Sequence, residues 1–136
     1  MQIRKAIVGD VKNVIEVVQA SYKFSYRGYL SDEYLDGLAI TDDVLEKWKN
    51  YINKKECYVA EYQNQIVAFT MLDSNEETKI FEICILYVRP EYQKQGIGSL
   101  LVNFVYISTI YFLSVTNTNF HNFHPILPKQ HNESYS

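Results

Sequence analysis

The sequence has few of the residues that break a chain or cross-link it. Its 136 residues include five glycines, three prolines and two cysteines. So few breakers favour regular helices and strands over long loops. Cys57 and Cys84 form no CxxC pair, so neither a structural zinc site nor any other metal is expected. Two isolated cysteines also indicate a reducing, cytoplasmic location in which both thiols stay free.

The sequence also lacks a long apolar run and a basic run. The longest apolar stretch, residues 100–115, is interrupted by polar residues such as Asn103 and Ser108, and a membrane span needs ~20 residues. The N-terminal MQIRKAIVGD has no apolar signal-peptide core. With a net charge of −3 and no basic cluster, neither a nucleic-acid partner nor a membrane partner is expected.

The composition is that of one globular domain with many tyrosines. Hydrophobic residues make up 47% of the chain and charged residues 21%, which excludes global disorder. There are twelve tyrosines against seven phenylalanines. Tyrosine suits half-buried surfaces and pocket walls, where its ring packs and its hydroxyl stays wet.

Hydrophobic periodicity in the first part of the chain predicts a short strand and then helices. Residues 2–6 can form the strand, and Asp10 is a plausible N-cap for a helix that runs to about Tyr22 or beyond. Leu35 and Leu38 suggest a helical turn, and Thr41 is a second N-cap candidate, followed by acidic residues in the first turn.

The period changes to that of strands in the middle of the chain. Residues 57–62, a segment from Ile66, and Ile80–Val88 read as three strands of an antiparallel meander. Helical spacing returns at Ile97, and residues 111–115 look like a further strand. No periodicity survives in residues 120–136, which are predicted to form an irregular or disordered tail.

The segment that carries chemistry joins the third meander strand to the following helix. Gly96 and Gly98 lie in QKQGIG at the helix start, where free backbone N–H groups can cradle an anion such as a pyrophosphate. A dinucleotide-binding fingerprint would need a third glycine where Leu101 stands, and the P-loop motif is absent. The segment is therefore predicted to be a phosphate-binding loop of another kind. The alternative is an ordinary helix start that binds no ligand.

The wider pattern resembles motif A of the GNAT N-acetyltransferases, whose signature is Q/R-x-x-G-x-G/A after a long strand. A second stretch, YRGYLSDEYLDGL, is similar to the YxGxLxxEYLDxL segment of many bacterial members. The resemblance covers about residues 2–119, so residues 1–119 are predicted to form a GNAT-like domain. The residues that match motif A are Val88, Pro90, Gln93, Gly96 and Gly98, followed by Leu100 and Leu101.

The resemblance implies an α/β fold of the α+β type, with a mixed, mostly antiparallel sheet flanked by helices. It implies an enzyme that uses acetyl-CoA as cosubstrate and transfers the acetyl group directly to a primary amine of a small molecule or peptide. The negative net charge mildly favours a cationic acceptor such as a polyamine or aminoglycoside. The alternative is a non-catalytic acyl-CoA-binding remnant or interaction module.

The resemblance also assigns the cosubstrate to particular residues. The pantetheine arm would lie along the backbone of Leu86, Tyr87 and Val88, where family members have a bulge that splays the strand. Asn119 is a further candidate contact. The pyrophosphate would lie on the amides of Gln93, Lys94, Gln95, Gly96, Ile97, Gly98 and Ser99.

Two residues are candidates for catalysis. The Leu86 N–H would face the acetyl carbonyl and stabilise its negative charge during transfer. Glu82 lies fourteen residues before Gly96, which is the spacing of the catalytic glutamate in the histone-acetylating branch of the family. Since it lies in a largely apolar strand, Glu82 is a candidate general base, and a solvated residue at a strand edge is the alternative.

Three tyrosines, Tyr22, Tyr26 and Tyr29, are candidates for the wall of the acceptor pocket, as that region is in the family. Ordinary helix packing is the open alternative for them. The positions and contacts of the three rings in the folded protein distinguish a pocket wall from helix packing.

The sequence departs from the family's pattern after Asn119. Positions that would carry the family's Phe-Tyr pair read Pro125 and Ile126. Without a following helix and further strands, residues 111–115 would form an exposed sheet edge that is apolar and β-prone. On that basis a homodimer is expected, built through this edge.

Overall fold

The computed structural model describes residues 1–75, 77–78, 80–115 and 125–126, which form a five-stranded sheet with helices on both faces. The strands, in their order across the sheet, are β1 (Gln2–Lys5), β2 (Glu56–Tyr62), β3 (Gln65–Asn75), β4 (Ile80–Val88) and β5 (Pro125–Ile126). The helices are α1 (Val11–Tyr26), α2 (Asp32–Asp36), α3 (Asp42–Lys54) and α4 (Ile97–Val115).

Strands β1 to β4 pair as an antiparallel meander. The predicted meander of three strands, β2 to β4, is confirmed, and β1 adds a fourth strand at its edge. A two-residue turn joins β2 to β3, and both of its residues have positive φ, 51° at Gln63 and 62° at Asn64. Turns of this kind match the twist of a hairpin. Strand β5 pairs in parallel with β4, opposite Phe81 and Glu82, so the sheet is mixed, as the resemblance implied.

Two apolar clusters lie on opposite faces of the sheet. On the α1/α3 face, Val14 and Trp48 pack with Phe69 of β3, and the rings of Trp48 and Phe69 meet edge to face with centroids 5.8 Å apart. On the α4 face, Leu101 and Val105 pack on residues of β2, β3 and β4. Alternate side chains of a strand point to opposite faces, so β4 contributes to both clusters.

Asp10 occupies the N-cap position of α1, as predicted, but its side chain does not cap the helix. Its carboxylate accepts two hydrogen bonds from the Arg4 guanidinium, at 2.8 and 2.9 Å, and one from the Ile7 N–H at 2.9 Å. A buried carboxylate must be paired, and Arg4 of β1 supplies the stronger partner. The predicted cap at Thr41 is confirmed, because its hydroxyl accepts the Val44 N–H.

The prediction of a strand over residues 111–115 is wrong, because α4 continues to Val115. A short apolar run rich in aromatic and β-branched residues cannot be assigned by composition alone. Ile97, Leu101 and Val105 already bury one face of the helix, and extending a formed helix costs little. The edge strand that supported a homodimer therefore does not exist, and the homodimer stays a prediction without that argument.

The strand next to β4 is instead β5, which lies within the segment predicted to be an irregular tail. The rest of that prediction, for residues 120–136, lies outside the described residues. Among the described helices, none is both long enough and apolar enough to cross a membrane.

The Arg4–Asp10 pair gives a test of how the N-terminal strand is fixed to α1. The Asp10 side chain is 9% exposed, and the hydrogen bonds from Arg4 lower its pKa. We expect Asp10→Asn to lower the free energy of unfolding by about 2 kcal/mol at pH 7, because it leaves a charged partner uncompensated. Urea unfolding measures the change.

The sign of the pH dependence follows from the lowered pKa. A carboxylate with a folded-state pKa below its unfolded value stabilises the fold above about pH 4, and this is lost as the pH falls through the folded value. The difference in unfolding free energy between wild type and Asp10→Asn should therefore narrow as the pH falls below about 4. Asp36→Asn, which removes an exposed partner of Arg27, is the control and should change little. An equal loss of unfolding free energy in Asp10→Asn and Asp36→Asn would contradict the stabilising role assigned to the Arg4–Asp10 pair.

Candidate functional site

The loop between β4 and α4 brings backbone N–H groups together at the start of the helix. After a short turn at Pro90–Tyr92, the chain passes through two residues with left-handed backbone, Lys94 with φ 62° and Gly96 with φ 82°. Glycine adopts this conformation without the steric cost that a side chain brings. The glycine at position 96 is therefore a requirement of the turn.

The first residues of α4 have amides with no acceptor inside the helix. The first intrahelical bond runs from the Leu100 N–H to the Gly96 carbonyl at 3.0 Å, so the amides of Ile97, Gly98 and Ser99 precede it. Gly98 is buried and has no side chain to cover this end. The arrangement fits an anionic group such as a phosphate, which a helix N-terminus favours.

The other loop residues predicted to hold a pyrophosphate are used differently. The Gln93 N–H donates to the Pro90 carbonyl at 3.3 Å, so this amide is already engaged. Lys94 and Gln95 are exposed, and the Gln95 side chain donates to the Glu91 carbonyl at 3.3 Å. The amides that lack an intrahelical acceptor are therefore those of residues 97–99, and the exposed Lys94 lies in the loop that precedes them.

Two side chains fix the end of β4 by bonding to one atom. The Ser21 hydroxyl of α1 and the Gln93 side-chain amide both donate to the Val88 carbonyl, each at 3.0 Å. Sequence reasoning missed Ser21, and its signal was a small polar residue within the apolar stripe of α1. It also missed Arg89, whose N–H and Nε donate to the Val67 and Ile66 carbonyls at 2.8 and 3.0 Å.

Part of β4 has an open edge next to this loop. The Arg89 N–H bonds to β3, and alternate residues of an antiparallel strand bond to the same neighbour. With Tyr87 opposite Phe69, the N–H groups of Leu86 and Val88 therefore point away from β3. In the part of the chain that the structure describes, β5 covers only Phe81 and Glu82 on that side.

A bulge lies just before the open edge. Ile85 pairs with Met71 and Ile83 with Leu72, so Cys84 is the extra residue on β4. Cys84 is partly buried, and burial is the main reason that its pKa is raised, with the nearby Asp73 and Glu82 carboxylates adding to it. Its thiol is therefore neutral at physiological pH, which makes it a poor nucleophile.

Glu82 lies on the far side of this bulge from Leu86. Its neighbour Ile83 packs on the α4 face, so Glu82 points to the α1/α3 face. The side chain is exposed to solvent rather than held among apolar groups as expected from the strand sequence. It stands opposite Asp73, whose carboxylate accepts a hydrogen bond from Lys55 at 2.6 Å. The role of Glu82 as a base stays a prediction.

The structure brings two of the three predicted acceptor-site tyrosines together and leaves the third apart. The rings of Tyr22 and Tyr26 lie one turn apart on α1 with centroids 4.6 Å from each other. Tyr29 is 86% exposed and contributes little to any wall. Two further tyrosines that sequence reasoning missed complete the group: Tyr34 of α2 lies close enough to Tyr22 to affect its pKa, and Tyr87 lies on the same face of the sheet.

The surroundings of Tyr22 and Tyr87 raise the pKa values of both side chains. Burial raises the pKa of Tyr87, and the neighbouring Tyr26 and Tyr22 hydroxyls raise it further. Partial burial also raises the pKa of Tyr22, with Tyr34 and Tyr26 adding to the effect. Their hydroxyl groups are therefore protonated over the physiological range and act as hydrogen-bond donors and acceptors without charge.

Two predicted features fall outside these contacts. Asn119, the further candidate for a cosubstrate contact, lies outside the described residues. Within the ranges that the structure describes, no group of His, Cys, Asp and Glu side chains is arranged to hold a metal ion.

Comparison with known proteins identifies a family. A family model described as the acetyltransferase (GNAT) family matches residues 18–119. A spermidine N(1)-acetyltransferase of Thermoplasma acidophilum is 30% identical over 106 residues, which are 75% of this chain and 66% of the relative. An uncharacterized N-acetyltransferase of Archaeoglobus fulgidus is 32% identical over 107 residues, 75% of this chain and 69% of that protein.

The fold is shared with solved structures as well. The crystal structure of PaiA N-acetyltransferase from Thermoplasma acidophilum in complex with coenzyme A superposes with a TM-score of 0.70 and 26% identity, covering 82% of this chain and 72% of that chain. The chain spans about two thirds of the length of the curated relatives that it matches.

Gly98 offers a direct test of the loop as an anion site. We expect Gly98→Val to reduce coenzyme A affinity at least about tenfold, because a branched side chain would occupy the space in front of the free amides. Isothermal titration calorimetry with coenzyme A measures the affinity, and far-UV circular dichroism checks the fold.

Gly9→Ala is the matched control for this test. An added Cβ at Gly9 would meet only the Ile7 side chain, at 3.9 Å, so coenzyme A affinity should not change. If Gly98→Val binds coenzyme A as tightly as wild type, the loop does not hold the phosphates.

Proposed function

The chain belongs to the acetyltransferase (GNAT) family, and from that premise we propose that it transfers an acetyl group from acetyl-CoA to a primary amine. The observation that carries the proposal is one adjacency. The amides of Ile97, Gly98 and Ser99, which precede the first bond of α4, begin the helix that follows β4, and Ile97 packs in one cluster with Leu86 and Val88 of the open edge. An anion cradle and an extended strand edge suit the two ends of one long ligand, its phosphates and its amide-containing arm.

In this proposal the backbone does most of the binding. The amides of Ile97, Gly98 and Ser99 hold the pyrophosphate, and Lys94 adds a positive charge beside it. The open edge at Leu86 and Val88 bonds to the pantetheine amides as a strand bonds to an added strand. The Leu86 N–H donates to the acetyl carbonyl and stabilises the negative charge that develops there.

The reaction class follows from this placement. Acetyl-CoA supplies the activated acetyl group, and a C–N bond forms as its C–S bond breaks, with the amine proton ending on the departing thiol. Glu82 takes the proton from the attacking amine, directly or through water, since its carboxylate is open to solvent on the α1/α3 face. The acceptor therefore approaches β4 from that face.

For the acceptor, we propose a small cationic amine of the polyamine type. Support comes from the 30% identity to a spermidine N(1)-acetyltransferase and from the net charge of −3, which attracts cations. The tyrosines of α1 lie on the face from which the acceptor would approach. A peptide amine is the competing acceptor that the assay below distinguishes.

Two further proposals concern the state of the protein in the cell. We place it in the cytoplasm, a reducing compartment, since both Cys57 and Cys84 are free thiols. A homodimer is retained as a proposal that sedimentation at micromolar concentration tests. A single 16.0 kDa species would exclude it.

Two measurements test the function together. Calorimetric titration with acetyl-CoA measures binding, and release of free thiol is then followed with a panel of polyamines, aminoglycosides and lysine-containing peptides. We expect binding and a thiol release that depends on the amine. Binding without turnover for any amine would support a non-catalytic acyl-CoA-binding module instead, and no binding would remove the proposal.

Glu82→Gln tests the base. We expect turnover at neutral pH to fall by about 10²-fold, because an amide cannot accept the amine proton, while acetyl-CoA affinity stays unchanged. Glu77→Gln, the same change at an exposed position in the β3–β4 turn, is the matched control and should leave both quantities unchanged. Wild-type turnover in Glu82→Gln would show that Glu82 is a solvated residue of the strand without a role as a base.

A further inference from the structure

Four tyrosines from three elements meet on the α1/α3 face beside the open edge of β4. Tyr22 and Tyr26 of α1 have ring centroids 4.6 Å apart and ring planes inclined at 40°. Tyr34 of α2 lies close enough to Tyr22 to help raise its pKa, and Tyr87 of β4 packs on the same face. We call this group, Tyr22, Tyr26, Tyr34 and Tyr87, the tyrosine wall.

The wall is held in place by its supporting elements. Helix α2 is capped by Ser31, whose hydroxyl accepts the Tyr34 N–H at 3.1 Å, and is anchored by Leu35, which is fully buried. Arg27, at the end of α1, donates to Asp32 and Asp36 of α2 at 3.1 and 3.0 Å. Tyr34 is therefore fixed in position although 54% of it is exposed.

The wall presents rings and neutral hydroxyls rather than fixed charges. Apart from burial, the groups that raise the pKa values of Tyr22 and Tyr87 are other tyrosines of the wall. The nearby acids Asp32 and Asp36 are already engaged by Arg27. The face of an aromatic ring is negative and attracts cations, whereas it repels anions.

The position of the wall relates it to the reacting group. Tyr87 directly follows Leu86, whose N–H faces the open edge where the proposed function puts the acetyl group. A ligand that lies along the wall therefore has one end beside that edge. The reacting amine must be neutral to attack, so any positive charge held by the rings belongs to another part of the acceptor.

We propose that the tyrosine wall binds a second ammonium group on the stem of the acceptor, which makes the acceptor a linear di- or polyamine, and that Tyr34 determines this specificity. The inference rests on the proposed function for the reaction itself. A monoamine of equal length would lack the charge that the wall binds, and an amino acid with a carboxylate at that end would be repelled.

The test uses three acceptors with the same stem, putrescine, butylamine and gamma-aminobutyrate, and the variants Tyr34→Leu and Tyr34→Phe. We expect Tyr34→Leu to raise KM for putrescine about fivefold with little change in kcat, and to leave KM for butylamine unchanged. Tyr34→Phe keeps the ring and should stay close to wild type. Tyr106→Leu, at a tyrosine of α4 that is 42% exposed on the other face, is the matched control.

A binding measurement keeps the inference separate from the reaction. Calorimetric titration of putrescine into the coenzyme A complex should show about fivefold weaker binding in Tyr34→Leu than in wild type and in Tyr34→Phe, whether or not acetyl transfer occurs. Equal putrescine affinity in all three proteins, or an equal loss for butylamine, would overturn the wall as a cation site. Absence of thiol release with every amine would instead count against the proposed function.

Discussion

The carbonyl of Val88 is the atom on which the arrangement of the site depends. It lies on the side of β4 that faces away from β3, and it accepts hydrogen bonds from Ser21 of α1 and Gln93 of the loop, both at 3.0 Å. A buried carbonyl has to be paired. Because its two donors come from different elements, one atom fixes the helix, the end of the strand and the loop relative to one another.

With its end fixed in this way, β4 packs against a helix on each of its two faces and directs backbone groups to the edge of the sheet. The side chains of Leu86 and Val88 pack under α4, and those of Ile85 and Tyr87 pack towards α1. The backbone N–H groups of Leu86 and Val88 remain directed along the sheet, to the open edge. The strand is thereby held on both faces while none of the residues that the structure describes pairs with its edge at Leu86 and Val88, which is the geometry that an extended ligand needs.

Features that depend on neighbouring residues in the chain were predictable. Gly96 and Gly98 mark the turn and the helix start, because a positive φ and a close approach to the backbone both require glycine. The meander followed from alternating apolar residues, and the Thr41 cap from a hydroxyl placed before an acidic first turn. Family membership followed from the spacing of these same glycines after a buried strand.

The sequence by itself therefore determined the strands of the meander, the loop and the family, since each of these is encoded in local spacing. Only the tertiary structure decided which distant groups meet. The Asp10 carboxylate bonds to Arg4 and does not cap the helix, Glu82 is exposed to solvent, and Tyr87 lies on the same face as the tyrosines of α1 and α2. The physical reason is that pairing and burial depend on neighbours far apart in the chain, and local periodicity carries no record of them.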